Sequence, residues 1–428
     1  MIRIAKPPRL HGTLTVPGDK SISHRGLILA GLASGRSSLR GLSSGKDVAS
    51  TQRVLRQLGV EMIPGRGGEL LVLGKGAAGL KEPESVLHCG NSGTTARLMA
   101  GVLARQRFFS VLTGDASLRA RPMARVVKPL REMGARIWGR QGDTKLPLAI
   151  QGGRLRGIRY ELPVASAQVK TCLLLAGLGA EGETEILEPA PSRDHTERLF
   201  SWLGLPLQKE GPRIRLRPAE VPAFQLEVPG DFSSAAYFLA LGALHGNAQI
   251  EIRGVNLNPT RTAFLRVLER MGARVQVSLL RQEPEPVGDV VVQSSRLRNV
   301  PVSLEEIPGM IDEIPLLAVV ATQAQGTFEL RGAAELRVKE SDRLHAIVTQ
   351  LQKMGAAIEE LPDGFRGEGG VPLRGVAVNA GPDHRIAMAL AVAGSVAEGE
   401  TILRGERWVA ISFPEFFDLL RQIGGTAQ

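Results

Sequence analysis

The chain has 428 residues, and its 53 Lys and Arg against 43 Asp and Glu give a formal net charge of +10. Its length predicts two or three domains. A composition of 43% hydrophobic and 22% charged residues excludes a largely disordered protein. Aromatic residues reach only 4%, which argues against a stacking surface for single-stranded nucleic acid. Two cysteines, Cys89 and Cys172, are too few for a disulfide framework or a Cys-rich zinc site.

The first residues of the chain lack an apolar signal core, and Pro7 and Pro8 would break a targeting helix. The longest apolar runs, such as 172–179 and 386–394, are too short to span a bilayer. We therefore expect a soluble, cytoplasmic protein, and we expect a monomer without a membrane partner. The positive charge leaves two kinds of partner open, nucleic acid or a small anionic substrate.

A turn that leads into a small apolar helix recurs six times, at intervals of 65 to 79 residues. The helices that follow, for example 26–33 and 386–393, are apolar on nearly all sides, so we expect them to be buried. Internal repeats of this length indicate that one supersecondary unit is used several times. The six openings begin at Pro17, Cys89, Val164, Pro229, Pro308 and Ala380.

A second, amphipathic helix follows in each unit and ends in a large apolar residue and then Gly, which favours a left-handed cap. The glycines are Gly59, Gly134, Gly204, Gly272, Gly355 and Gly424. Strand patterns come after the buried helices and between the units. They cover residues 109–112, 183–187, 249–252, 327–330 and 401–403, with further alternating stretches at 70–73 and 146–150.

Each unit therefore contains a strand, a buried helix, a strand, an amphipathic helix and a pair of strands. We predict an α/β fold with two inside-out domains, helices inside and sheets outside, each built of three βαβαββ repeats. One domain comprises residues 1–15 and 229–428, and the other comprises residues 16–228. Helix N-termini carry partial positive charge, so we place an anion-binding active site in the cleft between the domains.

Several cations occupy equivalent positions at or near the helix starts, although they are far apart in the chain. We expect the second helix of the fifth unit to begin at Arg337. Cations at a helix N-terminus oppose the helix dipole, so this placement favours a bound polyanion. A solvated basic face is the alternative for any one of them. The set contains Lys20, Arg25, Arg97, Arg121, Lys339, Arg343 and Arg385.

Six dispersed stretches resemble the signature set of the class II 5-enolpyruvylshikimate-3-phosphate synthases. The resemblance covers essentially the whole chain. It implies transfer of the enolpyruvyl group of phosphoenolpyruvate to the 5-hydroxyl of shikimate 3-phosphate with release of phosphate, in the shikimate pathway to chorismate and aromatic amino acids. It implies no metal and no organic cofactor. The stretches are 18–21, 166–170, 193–197, 258–261, 337–343 and 383–385.

The resemblance also implies roles for individual residues. Asp312 is the candidate base for the 5-hydroxyl, and Glu340 with Lys20 is the candidate acid pair for the methylene carbon. The residues implied for shikimate 3-phosphate are Lys20, Ser21, Arg25, Ser166, Ala167, Gln168, Arg193, Asp312 and Lys339. The residues implied for phosphoenolpyruvate are Lys20, Gly93, Arg121, Gln168, Arg343 and Arg385.

One position departs from the family pattern, because Ile411 stands where many members have Lys, and one phosphoenolpyruvate contact is then missing. Two other functions compete with this one. The related enolpyruvyl transferase that acts on UDP-N-acetylglucosamine uses a cysteine in the loop that corresponds to 113–123, where this chain has none. A nucleic-acid-binding protein would fit the charge but not the low aromatic content. Cys172 is expected in the core, whereas Cys89, before a helix start, is expected to be partly reactive.

Overall fold

The computed structural model describes residues 1–76 and 78–428. They form two compact units, one made of Gly18–Val228 and the other of Met1–Pro17 together with Pro229–Gln428. Helices and strands alternate along both. The α-helices are α1 (Lys20–Leu32), α2 (Lys46–Gln57), α3 (Gly93–Ala104), α4 (Ala116–Ala120), α5 (Ala124–Glu132), α6 (Arg140–Asp143), α7 (Ala167–Gly177), α8 (His195–Trp202), α9 (Phe232–Leu244), α10 (Ala263–Arg270), α11 (Ile307–Met310), α12 (Ile314–Gln323), α13 (Arg343–Lys353), α14 (His384–Val396) and α15 (Phe416–Gln422).

Short 3-10 helices cover Arg66–Gly68, Leu304–Glu306, Ala334–Val338 and Glu406–Ile411. The strands are β1 (Ile2–Ala5), β2 (Leu10–Thr15), β3 (Ala33–Arg40), β4 (Glu61–Pro64), β5 (Leu70–Lys75), β6 (Leu87–His88), β7 (Phe109–Thr113), β8 (Arg136–Gly139), β9 (Lys145–Gln151), β10 (Leu155–Arg156), β11 (Arg159–Glu161), β12 (Ala180–Glu181), β13 (Thr184–Leu187), β14 (Leu207–Glu210), β15 (Arg213–Leu216), β16 (Val221–Pro222), β17 (Gln225–Glu227), β18 (Ala248–Asn256), β19 (Arg274–Arg281), β20 (Val287–Gln293), β21 (Gly326–Leu330), β22 (Ala357–Leu361), β23 (Gly364–Gly369), β24 (Ala377–Asn379), β25 (Glu400–Arg404) and β26 (Thr426–Ala427).

In the Gly18–Val228 unit, each repeat builds a sheet in which the last strand lies between the second and the third. The second repeat has the order β6-β7-β9-β8, and the third has the order β11-β13-β15-β14. The first strand pairs in parallel with the second across a buried helix, and the other pairs are antiparallel. In the first repeat, β17 from the end of the unit takes the place of the first strand beside β3.

The other unit follows the same plan with its own exchange of strands. Its fourth-repeat sheet has the order β19-β20-β18-β2, and the next has β21-β23-β22. The last sheet has the order β24-β25-β1-β26, in which β1 is antiparallel to both neighbours. The start of the chain therefore supplies the final strand of the sixth repeat, and β2 supplies the first strand of the fourth.

Each unit has a hydrophobic core of its own, centred on its apolar helices. In one unit α3 packs against α7 and α1, and in the other α9, α12 and α14 pack on one another. Every residue of α9 from Phe232 to Ala243 is buried. The strands alternate instead, as in β9 and β15, where every second residue is buried. The expected placement of helices inside and sheets outside is confirmed within each unit.

The ends of the amphipathic helices match the glycine pattern in the sequence. All six predicted cap glycines have φ between 69° and 103°, a left-handed conformation in which a Cβ is unfavourable. One predicted start is wrong. Arg337 lies in the 3-10 helix Ala334–Val338, and α13 begins only at Arg343, because Asp342 accepts a hydrogen bond from the His345 N–H and caps the helix there.

No helix of residues 1–76 and 78–428 combines the length and the apolar character that a bilayer crossing requires. Within the same residues, no three His, Cys, Asp or Glu side chains are grouped closely enough to hold a metal ion. Both cysteines are free thiols and buried. Burial raises the pKa of each, Cys89 and Cys172, to about 12. The expectation that Cys89 is partly reactive is therefore wrong, because its side chain is fully buried.

Candidate functional site

The polar residues singled out in the sequence lie in or beside the first turns of the buried helices. In α1, α3, α7, α9 and α14 the residue before the helix is Asp or Ser, and its side-chain oxygen accepts a hydrogen bond from a backbone N–H of the first turn. This capping fixes where each helix begins. The side chains of the first turn are thereby held at the end of the helix that carries partial positive charge.

In the Gly18–Val228 unit, two buried guanidinium groups flank the backbone of Gly93. A Cβ on Gly93 would lie 3.1 Å from Arg97 Nη1 and 3.4 Å from Arg121 Nη1. Arg97 donates a hydrogen bond to Gln168 Oε1 at 2.5 Å, and Arg121 donates one to Asn91 Oδ1 at 2.6 Å. The structure thus brings the predicted residues Gly93, Arg121 and Gln168 together, and it adds Asn91 and Arg97 to them.

Lys20 opens α1 in the same unit. Its Nζ lies 3.2 Å from Asp47 Oδ2, and its side chain is 20% exposed. Ser21 follows it and is half-buried. His24, one turn further, is fully buried, and its Nδ1 lies 2.7 Å from the Thr51 hydroxyl. Burial, together with the positive charges of Lys20 and Arg25, holds the pKa of His24 well below its usual value, which favours the neutral ring.

Arg25 contacts three different parts of its unit. Its Nη1 donates to the backbone carbonyl of Ser21 at 2.9 Å. Its Nη2 donates to Thr171 Oγ1 on α7 at 2.8 Å, and its Nε donates to Thr196 Oγ1 on α8 at 2.7 Å. The guanidinium group is therefore held rigidly by α1, α7 and α8.

The remaining predicted residues of this unit lie at the starts of α7 and α8. Ser166 caps α7 through a hydrogen bond from the Val169 N–H at 3.4 Å, and Ala167 is the first residue of the helix. Arg193 is half-buried in the segment that leads from β13 to α8. Arg25 donates to Thr171 of α7 and to Thr196 of α8, so it connects the helix that Ser166 caps with the helix that follows Arg193.

In the other unit, Arg343 is the centre of a group of carboxylates. Its Nε donates to Asp383 Oδ2 at 2.8 Å, and its Nη2 donates to Glu340 Oε2 at 2.6 Å. Its Nη1 lies 3.4 Å from Asp312 Oδ1. Burial works to lower the pKa of Arg343, but the carboxylates of Asp383, Glu340 and Asp312 outweigh it and raise that pKa above its usual value. The guanidinium group stays charged.

Arg385 lies on the other side of Asp312. Its Nη2 is 3.7 Å from Asp312 Oδ2, and its Nη1 is 3.8 Å from Glu313 Oε1. Burial again lowers the pKa of the guanidinium group, and the carboxylates of Asp312 and Glu313, with Tyr237, outweigh it, so the pKa of Arg385 is well above its usual value. Asp312 therefore lies between two permanently charged arginines. Its oxygens are 3.4 Å from Arg343 Nη1 and 3.7 Å from Arg385 Nη2, which is longer than the 2.8 Å between Arg343 Nε and Asp383 Oδ2.

A second layer of charged residues lies behind Arg385. Glu313 is 1% exposed, and its Oε1 accepts a hydrogen bond from the Ser233 hydroxyl. Arg261 Nη2 also donates to that hydroxyl, and it lies 3.9 Å from Glu313 Oε1 and 3.6 Å from Asp231 Oδ1. Arg261 belongs to the signature stretch 258–261, for which the sequence alone gave no role. Its contacts assign it to the support of Glu313.

The last two positions that the sequence analysis singled out are Lys339 and Ile411. Lys339 ends the 3-10 helix Ala334–Val338, and its Nζ is 3.2 Å from Glu335 Oε1, so its contact is with its own segment rather than with Arg343. Ile411, at the end of Glu406–Ile411, is 6% exposed. An isoleucine at this position offers no polar atom to an anion.

Carboxylates outnumber guanidinium groups around Arg343. The group around Arg343 contains three guanidinium groups, those of Arg261, Arg343 and Arg385, among five carboxylates. The carboxylates belong to Asp231, Asp312, Glu313, Glu340 and Asp383. Carboxylates can accept and donate protons, and arginines bind phosphate and carboxylate ligands through paired hydrogen bonds. The Arg343 group therefore has the components of acid–base chemistry as well as those of anion binding.

The family model of EPSP synthase, 3-phosphoshikimate 1-carboxyvinyltransferase, matches residues 4–420. The chain belongs to the EPSP synthase family. The resemblance that the six signature stretches carry is thereby confirmed.

Relatives with the same description match along almost their whole length. A 3-phosphoshikimate 1-carboxyvinyltransferase of Synechococcus sp. (strain JA-3-3Ab) is 50% identical, over 97% of this chain and 94% of the relative. One from Thermodesulfovibrio yellowstonii is 47% identical, over 98% of this chain and 99% of the relative. The solved structure of an EPSP synthase from Acinetobacter baumannii superposes with a TM-score of 0.89 at 40% identity, covering 100% of this chain and 99% of that one. Family and fold are thus established together.

Proposed function

We propose that this chain transfers the enolpyruvyl group of phosphoenolpyruvate to the 5-hydroxyl of shikimate 3-phosphate and releases phosphate, in the shikimate pathway to chorismate. One observation carries the proposal. In a chain of the EPSP synthase family, the predicted base Asp312 lies between Arg343 and Arg385, within 4 Å of both. A carboxylate held between two arginines combines a proton acceptor with groups that bind an anionic reactant.

The reaction is an addition followed by an elimination. In the addition, the 5-hydroxyl oxygen bonds to C2 of phosphoenolpyruvate, the hydroxyl proton passes to a base, and C3 receives a proton to become a methyl group. In the elimination, that methyl group loses a proton, the C2–O bond to phosphate breaks, and the double bond forms again. Both steps need a base and an acid on the two sides of C2.

Asp312 is proposed as the base for the 5-hydroxyl, and Glu340 with Lys20 as the acid pair for C3. Glu340 is anchored by Arg343 Nη2 at 2.6 Å, so it is held beside Asp312 by one shared arginine. Positive charge develops at C2 during the addition, and carboxylates nearby stabilise it. The excess of carboxylates in the Arg343 group supports this assignment.

The binding residues are proposed as follows. Planar guanidinium groups bind carboxylate and phosphate through paired hydrogen bonds, which suits arginine at these positions. Shikimate 3-phosphate is bound by Lys20, Ser21, Arg25, Ser166, Ala167, Gln168, Arg193, Asp312 and Lys339. Phosphoenolpyruvate is bound by Lys20, Gly93, Arg121, Gln168, Arg343 and Arg385. The predicted location of this site between the two domains, and their assignment as two enolpyruvyl-transferase domains, stay predictions.

We also propose that the chain acts as a cytoplasmic monomer on small-molecule substrates, without nucleic acid. Two free, buried cysteines support a reducing compartment. Sedimentation at micromolar concentration tests the monomer, because a dimer would double the mass of 45.8 kDa.

A phosphate-release assay tests the proposed reaction. Purified protein is given phosphoenolpyruvate with shikimate 3-phosphate, with UDP-N-acetylglucosamine, or alone. We expect phosphate only with shikimate 3-phosphate, and we expect turnover to persist in excess EDTA. Release with the nucleotide sugar instead would identify the other enolpyruvyl transferase. Release of no phosphate, together with tight, salt-sensitive binding of nucleic acid, would favour the nucleic-acid-binding alternative.

The variant Asp312→Asn tests the central residue. It keeps the size of the side chain and removes the proton acceptor, so we expect kcat to fall by about 10²- to 10⁴-fold. Asp418→Asn, on the 74% exposed carboxylate of α15, is the matched control and is expected to retain full turnover. Normal kcat in a folded Asp312→Asn variant would remove Asp312 from the mechanism.

A further inference from the structure

A lysine without contact with solvent lies inside the Gly18–Val228 unit. Lys170 is in the first turn and a half of α7, and its side chain is 0% exposed. Its Nζ lies 2.9 Å from Glu188 Oε2 and 2.7 Å from Glu197 Oε1. Burying a charged group is costly unless partners compensate it, so this cluster needs an explanation beyond packing.

The two carboxylates stand on either side of Arg193. Glu188 directly follows β13, and Glu197 lies in the first turn of α8. The other oxygen of Glu188 accepts a hydrogen bond from the hydroxyl of Ser192, the residue before Arg193. One ammonium group on α7 therefore fixes both ends of the segment that carries Arg193, and Ser192 connects the middle of that segment to the same cluster.

A second connection between α7 and α8 runs beside the first. The hydroxyls of Thr171 and Thr196, each next in sequence to a member of the ion cluster, are 2.6 Å apart. Arg25 donates to both of them, at 2.8 and 2.7 Å. The ion cluster and the threonine pair thus form two adjacent links between the helices, and Arg25 is attached to the second.

We propose that Lys170 is a positioning residue for the binding of shikimate 3-phosphate. By holding Glu188 and Glu197 together it sets the position of Arg193 relative to Arg25 and to the first turn of α7. This inference rests on the proposed function, which assigns those groups to that substrate. Lys170 itself is buried and makes its contacts with the two glutamates, so it acts through other residues.

The chemistry of the cluster supports a positioning role over simple packing. A methionine would fill the same space, but the two carboxylates would then face each other without the ammonium group that lies between them, and the partly exposed Lys209 contacts Glu197 alone. Like charges there repel, so Glu188 and Glu197 would move apart and carry the Arg193 segment with them. The expected consequence is a change in geometry at one substrate, whereas the other substrate keeps its contacts at Gly93 and Arg343.

Lys209 offers a matched control for the loss of a cation beside Glu197. Its Nζ lies 3.3 Å from the same oxygen, Glu197 Oε1, but it reaches that oxygen from β14 and is 37% exposed. Lys209→Met removes a cation from the same carboxylate without releasing α7. Ser192→Ala is a milder test of the proposal, because it separates the Arg193 segment from Glu188 and leaves both ion pairs of Lys170 in place.

The experiment measures KM for each substrate in wild type, Lys170→Met, Ser192→Ala and Lys209→Met, together with the dissociation constant of shikimate 3-phosphate by calorimetry. We expect KM and the dissociation constant for shikimate 3-phosphate to rise about 10- to 100-fold in Lys170→Met, the effect of losing a hydrogen bond to a charged group. We expect a rise of about three- to tenfold in Ser192→Ala. KM for phosphoenolpyruvate is expected to change less than about twofold, and Lys209→Met is expected to resemble wild type.

The outcomes separate the two proposals. A loss of stability alone lowers the amount of active enzyme and hence the maximal rate, and it leaves both KM values as they were. Equal KM values in wild type and in both test variants would overturn the positioning role, as would parallel rises for both substrates. If Lys170→Met does not fold, Ser192→Ala decides the matter by the same criteria. Wild-type protein without phosphate release from the two substrates would instead contradict the proposed function.

Discussion

Arg343 and Asp383 form a buried ion pair that joins two helix starts, with Arg343 Nε donating to Asp383 Oδ2 at 2.8 Å. The other oxygen of Asp383 accepts a hydrogen bond from the Arg385 N–H at 2.9 Å and so caps α14. One carboxylate therefore fixes the first residue of α13 and the first turn of α14. The relative placement of Arg343 and Arg385, and hence the space around Asp312, depends on it.

The variant Asp383→Asn is predicted to destabilise the protein by about 3 kcal/mol at pH 7. This is the lower end of the cost of removing one member of a buried ion pair, because Arg343 keeps Glu340 and Asp312. Urea unfolding measures the change, with exposed Asp418→Asn as the control. An unfolding free energy equal to that of wild type would show that the pair contributes little.

The same pair gives a pH dependence with a definite sign. Burial works to raise the pKa of Asp383, but the Arg343 guanidinium outweighs it and holds the pKa below its usual value. A carboxylate with a lowered pKa stabilises the folded state above its unfolded pKa of about 3.9 and loses that effect as the pH falls through its folded pKa. We expect the difference between wild type and Asp383→Asn to be constant from pH 7 to pH 5 and to shrink below about pH 4. A difference that grows on acidification would contradict this assignment.

Much of the fold was predictable because its signals are local. An Asp or Ser before an apolar run fixes a helix start, and Gly after an amphipathic run ends a helix in the left-handed conformation. Repetition of both signals six times revealed the plan of the chain. The wrong helix start at Arg337 also comes from a local signal. Asp342 lies five residues after Arg337, and it is Asp342 that caps α13.

The partners of the site residues were not predictable in this way. Asp312, Glu340 and Asp383 come from three separate segments, and only tertiary packing shows that they share Arg343. The burial of Cys89 also depends on tertiary packing, so the sequence did not predict it. The residue identities came from resemblance to a family, which transfers positions but not hydrogen bonds. Lys170 and Arg261 illustrate the difference, because both lie in signature stretches and their contacts appear only in the structure.

The two cysteines are predicted to be unreactive in the folded protein. Burial raises the pKa of both thiols to about 12, and the thiolate is the reactive form. We expect a disulfide reagent such as Ellman's reagent at pH 8 to modify neither thiol within minutes, and to modify two thiols for each chain in 6 M guanidinium chloride. Rapid modification of either thiol in native protein would show that the structure around it opens readily.

Gly93→Ala is predicted to weaken the binding of phosphoenolpyruvate. The added methyl group would lie 3.1 Å from Arg97 Nη1 and 3.4 Å from Arg121 Nη1, so the two guanidinium groups have to shift. We expect KM for phosphoenolpyruvate to rise about tenfold, the effect of about 1.4 kcal/mol, with a smaller effect on KM for shikimate 3-phosphate. Gly153→Ala is the control, since a Cβ at that position meets no described atom within 4 Å. An unchanged KM for phosphoenolpyruvate would remove Gly93 from the binding residues.

The last prediction concerns the charges behind Arg385. Glu313 is 1% exposed and lies within 4 Å of both Arg261 and Arg385, so Glu313→Gln leaves two buried guanidinium groups with less compensation. We expect Glu313→Gln and Arg261→Met each to cost about 3–5 kcal/mol of unfolding free energy. The double variant is expected to cost at least about 1 kcal/mol less than the two single changes together, because each change removes the partner of the other. Strictly additive losses in urea unfolding would show that Arg261 does not support Glu313.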